Sequence, residues 1–240
     1  MHLNKVVLFI GLLLGSLYCR SQTVEDIISK YITFCGGEQH WKKVKTITTS
    51  GTYNYGGIVF PFTAYSKAPN LYKYVVPFQG KYFEQAFDGK TGWKIDAFKG
   101  ETKKTALTGK AASAMMNEAD VNLEMPFINY KQKGHQAMLQ GTDTVDGSDC
   151  FKVRFITANA DTSTYFFKKE DYALVKKQAI SKNTELDYSL LDIFYDDYRN
   201  VNGIKMPFVQ THKANAQTIL TITVEKAEFN KPVKDEEFKF

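Results

Sequence analysis

Apolar and polar residues alternate with a period of two over most of this chain, and the alternation breaks in two places. The first break lies near the start. Thr23, with Glu25 and Asp26 behind it, has the pattern of a capped helix start, and Val24, Ile27, Ile28, Tyr31, Phe34 and Cys35 follow at three- and four-residue spacing. Gly36 and Gly37 end that run, and Glu38 to Val44 adds a short turn with Trp41 and Val44 one turn apart. The apolar side of this helix is wide, which predicts that it lies against a sheet.

Five strands are then expected. Lys45–Tyr55 is rich in Thr and Tyr, Gly56-Gly57 turns the chain, and Ile58, Phe60, Phe62 and Ala64 form one face of the next strand. Leu71–Val76 follows, and Tyr82–Phe87 and Trp93–Ala97 flank Asp88-Gly89 as a hairpin. Connections this short predict an antiparallel meander, since parallel pairing would need helical crossovers. Phe87 and Trp93 share a parity, which predicts that they shape one wall. The same hairpin contains Gly89-Lys90-Thr91, the tail of a phosphate-binding loop. That motif needs a glycine where Glu84 stands, and a helix afterwards, so nucleotide binding is excluded.

The second break runs from Phe98 to Gly134. Ala106–Ala119 has helical composition, with Met115 and Met116, and Phe127–Lys133 is expected to form another short helix. The longer segment reads either as a cover over the sheet or as a plain surface helix. Alternation resumes in Met138–Thr142, Phe151–Phe155, Tyr165–Phe167, Tyr172–Ile180 and Tyr188–Arg199. After Asn202-Gly203 it continues through Ile204, Met206 and Phe208. In the last strand Leu220, Ile222 and Val224 have one parity and Ala227 and Phe229 the other, so a bulge near Glu225-Lys226 is needed to bury both sets. The expected fold class is α+β. It is a curved antiparallel β-sheet, an open half-barrel of about eleven strands, covered by an N-terminal helix and mid-chain helices.

Composition narrows the class. Lys5, the apolar run Val6–Leu17 and the small residues Cys19 and Ser21 give residues 1–21 the layout of a signal peptide, leaving residues 22–240 as one domain. A rival reading takes Cys19 as a lipidated N-terminus, but Tyr18 is bulky where that processing wants a small residue. The formal charge of +5 is spread along the strands rather than gathered in a block, which argues against nucleic acid as a partner. Cys35 and Cys150 match no metal motif and are expected to be separate core residues.

Nothing in the chain reads as catalytic machinery. His40, His135 and His212 are isolated, there is no Gly-x-Ser-x-Gly elbow, and Asp192, Asp196 and Asp197 read as a solvated strand face. No cofactor or metal is expected. Aromatic residues are abundant, with 18 Phe, 14 Tyr and 2 Trp. Those on one parity of their strands, Phe60, Phe62, Tyr72, Tyr74, Phe83, Phe87 and Trp93, are candidate walls of an apolar groove under a helix carrying Met115 and Met116, with Phe127 beside it. Such a groove needs no polar motif, because each buried methylene of a ligand contributes roughly 0.8 kcal/mol.

Several segments resemble one family. They are Tyr31–Gly51, the run Phe87-Asp88-Gly89-Lys90-Thr91-Gly92-Trp93, the run from Asp197 to Phe208, and the closing Phe229–Phe240. In this order they are similar to the LolA-like outer-membrane lipoprotein-sorting proteins, periplasmic carriers with an open β half-barrel closed by helices. The resemblance implies a periplasmic, monomeric, non-enzymatic carrier whose partners are a lipid or lipidated protein and the inner or outer membrane surface. The competing expectation is an envelope assembly or sensor protein whose groove holds a protein segment.

Overall fold

The structure is a computed structural model that describes residues 22–123, 125–181 and 189–240. The expected signal peptide lies outside the described residues. Helix α1 (Val24–Phe34) starts as its sequence requires: Thr23 Oγ1 accepts from Asp26 N at 3.1 Å, and the Asp26 carboxylate accepts from Thr23 N. It ends at Gly36 and Gly37, both at positive φ. Gly36 also has to be a glycine for space, because a Cβ there would stand 2.0 Å from Gly203 O. A single turn, α2 (Glu38–Trp41), follows.

The first meander comprises β1 (Thr46–Tyr55), β2 (Ile58–Lys67), β3 (Leu71–Phe78), β4 (Lys81–Phe87), β5 (Gly92–Asp96) and β6 (Thr105–Ala106). Helix α3 (Gly109–Leu123) then crosses to the second, which comprises β7 (Gln136–Val145), β8 (Ser148–Ile156), β9 (Thr162–Lys168), β10 (Leu174–Ile180), β11 (Leu190–Val201), β12 (Ile204–Ala214) and β13 (Gln217–Phe229). The order across the sheet is β6-β5-β4-β3-β2-β1-β13-β12-β11-β10-β9-β8-β7, all antiparallel, with β6 and β7 at the two edges. The sheet is therefore open, and its two halves join where the first strand pairs with the last.

Among the described residues thirteen strands replace the expected eleven or so. The two-residue β6 is too short to show alternation, and it falls where the composition already suggests a helix. The expected helix over Phe127–Lys133 is a series of turns instead. Phe127, Ile128 and Tyr130 of that segment are all buried, so tertiary packing fixes it where local propensity does not. The bulge in β13 is present. Ile47 pairs with Phe229 and Gly51 with Val224, so Glu225 is the extra residue and both apolar sets reach one face.

The main core forms between α1, the turns after α3 and the β7–β9 end of the sheet. Ile27, Ile28 and Tyr31 bury there against Phe127, Val153, Phe155, Tyr165 and Phe167. Rings within it meet edge-on, Tyr31 to Phe127 at 5.6 Å and Phe127 to Tyr165 at 4.9 Å. Trp41 closes the same end of the molecule, donating from Nε1 to Cys35 O at 3.0 Å and meeting Phe229 edge-on. Cys35 and Cys150 are both free and buried, in different clusters.

The expectation that Phe87 and Trp93 share a wall is corrected by the turn between them. Asp88 Oδ1 accepts from Lys90 N and Thr91 N, which makes a four-residue turn. Phe87 then pairs with Gly92 and Ala86 with Trp93, so equal parity puts Phe87 and Trp93 on opposite faces. Trp93 is fully buried on the outer face under the C-terminal segment. Its Nε1 donates to Phe238 O at 2.8 Å, and Lys104 Nζ stands 4.0 Å from its ring centre. Lys73, on that same face, bridges Glu84 and Glu237 at 2.8 and 2.9 Å.

Candidate functional site

Both long helices lie on one face of the sheet, the inner face, and they fill its halves unequally. On β2–β5, α3 is seated directly: Met115 and Ala119 are buried against Tyr72 and Phe87. On β8–β12 a cleft of about 680 Å³ remains. Ala114, Asn117 and Glu118 of α3 line its roof, Tyr31 and Phe127 its base, and Tyr165, Leu174, Ile193 and Tyr195 belong to its floor and sides. The volume lies within the range of pockets that enclose small ligands.

Register fixes how the floor is built. One continuous rung of inner-face residues runs from Leu139 through Val153, Tyr165, Lys177, Ile193 and His212 to Leu220 and Tyr55. Lys177 and His212 are its only ionisable members besides tyrosines, and they flank Ile193. The next rung, Ser163, Ala179, Leu191 and Ala214, lies toward the end of the sheet where Ile180 and Leu190 stand half exposed, at 51% each. That end is the mouth, because the buried Tyr31 lies on the other side of the Tyr165 rung, 5.1 Å from Phe167, and Phe127 spans from Phe155 to Phe167 along the side.

The electrostatics of the cleft differ from those of the outer face one residue away. Lys176 points outward, with Asp192 at 3.7 Å and the Phe166 ring centre at 4.5 Å. Lys177 points inward, 5.5 Å from the Tyr165 ring centre, and among the described residues it makes no ion pair. His212 Nε2 is buried with no hydrogen-bond partner among the described residues. Burial, helped by the charge of Lys177, pushes the His212 imidazole down to about 4 from an ordinary 6.5, so the ring is neutral at pH 7. Burial pushes the Tyr195 hydroxyl up to about 12. Glu118 keeps solvent contact under the roof, yet the surrounding walls raise its carboxyl above the usual range, with Lys177 pulling the other way.

The ten residues expected from sequence separate into groups. Phe60, Phe62, Tyr72, Tyr74, Phe83 and Phe87 do share the inner face of β2–β4. They pack among themselves, with Tyr72 to Tyr74 at 6.1 Å, Tyr74 to Phe83 at 5.6 Å, and Phe60 to Phe78 at 4.7 Å. Met115 is buried on this shelf, Met116 is 39% exposed, and Trp93 is on the outer face. Phe127 alone lines the cleft. The cleft residues that sequence reasoning passed over are Lys177, Ile193, Tyr195 and His212. For Lys177 and His212 the signal is a polar residue on the inward parity of a strand, legible only once the register is known. Among the described residues no three His, Cys, Asp or Glu side chains come together as a metal-ligand set. No described helix is long and apolar enough to cross a membrane, which says nothing about crossing by strands.

Solved structures share this open antiparallel sheet with helices on one face. A LolA superfamily protein from Nitrosomonas europaea superposes with a TM-score of 0.58 at 11% identity, over 92% of this chain and 99% of that one. A DUF1329 family protein from Desulfovibrio piger gives 0.60 at 15% identity, over 91% and 98%. A domain assigned to outer membrane lipoprotein sorting in Vibrio parahaemolyticus gives 0.59 at 11% identity, over 89% and 94%. At these identities the likeness is one of fold. No protein-family model matches the chain, and no curated protein matches it.

Proposed function

We propose that this protein is an exported, non-enzymatic carrier for a lipid or for the acyl chains of lipoproteins, acting in lipid transport or lipoprotein sorting toward the outer membrane. The observation that carries the reading is the half-filled inner face. The sheet seats α3 on β2–β5 and leaves a cleft of about 680 Å³ beside it, with an apolar base of Tyr31 and Phe127 and Leu174 in its wall. Aromatic and aliphatic walls hold a hydrocarbon chain through burial alone, at roughly 0.8 kcal/mol per methylene. The lipoprotein-sorting role named for the Vibrio parahaemolyticus domain of the same fold supports the reading, as does the signal-peptide layout of residues 1–21.

The test is native mass spectrometry of purified protein followed by solvent extraction and lipid analysis, with displacement of a fluorescent fatty acid as a second readout. Co-purifying lipid and saturable displacement are expected. Protein that emerges empty and ignores the probe, or that brings a stoichiometric protein segment in the cleft instead, overturns it.

A further inference from the structure

A cleft meant only for hydrocarbon has no use for an ammonium group that, among the described residues, makes no ion pair. A half-buried cation that has a ring face 5.5 Å away and no ion pair loses solvation and recovers little of it. Lys177 is in that position, while its neighbour Lys176 on the outer face is matched by Asp192. The orphan His212 Nε2 lies on the same rung. Lys177 and His212 are two strands apart, about 10 Å between backbones, a gap that two inward side chains can close around one small group. Both stand one rung inside the mouth, with the apolar base beyond them.

Resting on the carrier reading, we infer that the cleft takes a single-chain amphiphile with an anionic oxyanion head. The head is held by Lys177 Nζ and His212 Nε2 just inside the mouth, and the tail runs toward Tyr31 and Phe127. This orientation follows from the order of the rungs: the charged pair lies one rung from the Ile180–Leu190 end, and Tyr31, against Phe167, lies one rung beyond it. The ester- and amide-linked chains of a lipoprotein carry no charge at the linkage and would leave both groups unmatched. The head-group chemistry therefore separates a free acidic lipid from a lipoprotein anchor.

Other charges face the same space. Glu118 of α3 acts on Lys177 across the cleft, Asp161 is held by Asn117, and His135 accepts from Ala158 N at the rim. Tyr165 and Tyr195 remain protonated at neutral pH, because burial raises both hydroxyls. Among the described residues Glu118 is the acid that acts on Lys177, and neutralising it should tighten the complex.

The experiment measures binding of oleate, of oleoyl lysophosphatidate and of methyl oleate at pH 7 to the wild type and to Lys177→Met, Lys177→Arg, His212→Leu and Glu118→Gln. The wild type should prefer an acidic ligand over methyl oleate by about tenfold or more. Lys177→Met and His212→Leu should lose most of that preference while still binding methyl oleate. Lys177→Arg should retain it, and Glu118→Gln should strengthen it. Whichever of oleate and lysophosphatidate binds more tightly identifies the head as carboxylate or phosphate. In labelled protein the His212 ring should take up a proton more easily when oleate is bound, as the anion favours the imidazolium. Equal binding of oleate and methyl oleate by the wild type overturns the head-group assignment and leaves the carrier reading standing. So does a preference that survives in Lys177→Met. Failure of all three ligands to bind overturns both.

Discussion

Along β2–β5 the buried side chains of α3 are Met115 and Ala119, one turn apart, and they press onto Tyr72 and Phe87. Over β9–β12 the same helix turns Ala114, Asn117 and Glu118 to the sheet and leaves a cleft. The two stripes are adjacent, so α3 lies along the boundary between a filled half and an open one. Aromatic density does not tell these halves apart. The filled half holds the Tyr72, Tyr74 and Phe83 stack, and the open half has Tyr165 and Tyr195 in its walls. The difference is in the company the rings keep. In the filled half they meet one another and a methionine; in the open half they also stand beside a lysine with no ion pair and a histidine whose Nε2 has no hydrogen-bond partner among the described residues.

The largest expected effect is on the filled half. Met115 is 1% exposed, so Met115→Ala should cost about 3 kcal/mol through lost burial and the cavity left behind. Chemical denaturation should show that loss, while ligand binding in the open half should persist after correction for the folded fraction. Equal loss of binding would mean that the two halves are one site. A comparable effect of opposite location comes from acid. The His212 imidazole in the folded protein is held at about 4, below its ordinary 6.5, so the unfolded chain takes up the proton first as pH falls. Its contribution is fully present above about 6.5 and is lost as pH falls from there toward 4, amounting to about 3 kcal/mol. Denaturation curves across that range should flatten in His212→Leu, and an unchanged slope would show that the ring is solvated.

Much of this architecture is legible in the sequence. The Thr23 cap, the Gly36 stop, the first meander and the Glu225 bulge all follow from local patterns, because capping, turn chemistry and alternation act within a few residues. The site was legible only in part, for a geometric reason. Parity along one strand says which residues share a face, but an even-length turn such as Asp88–Thr91 reverses the relation on the next strand. That is how Trp93 reads as a groove residue when it packs outside under Phe238. The rung joining Lys177, Ile193 and His212 depends on two further registers and on the β9–β10 irregularity near Leu174, none of which a single segment reveals.

Filling the open half gives a smaller effect of a different kind. Ala179 lines the cleft on the rung at its mouth. Ala179→Phe places a ring in vacant space, so stability should change by less than about 1 kcal/mol. Fatty-acid affinity should fall about tenfold, equivalent to about 1.4 kcal/mol. The equivalent enlargement in the filled half, Ala119→Phe, meets Tyr72 and Phe87 and should instead destabilise by roughly 1–3 kcal/mol. Titration calorimetry beside denaturation separates the two, and identical behaviour of the pair would erase the distinction between the halves.

The smallest effect concerns how α3 spans the boundary. Toward the filled half it is held by apolar burial. Toward the open half its ties are polar: Asn117 Nδ2 donates to Asp161, and Asn159 Nδ2 donates to Asn117 Oδ1 at 3.0 Å. Asn117 is half-buried and the bond has a charged acceptor, so Asn117→Ala should cost about 1 kcal/mol. The loss should be local. Amide exchange should quicken in α3 and in the loop around Asp161, with little change in β2–β5, and lipid entry and exit should both accelerate while equilibrium affinity moves less. If exchange quickens equally in β3 and β4, the anchor of α3 on Tyr72 and Phe87 depends on the polar tie, and the two halves do not hold their helix independently.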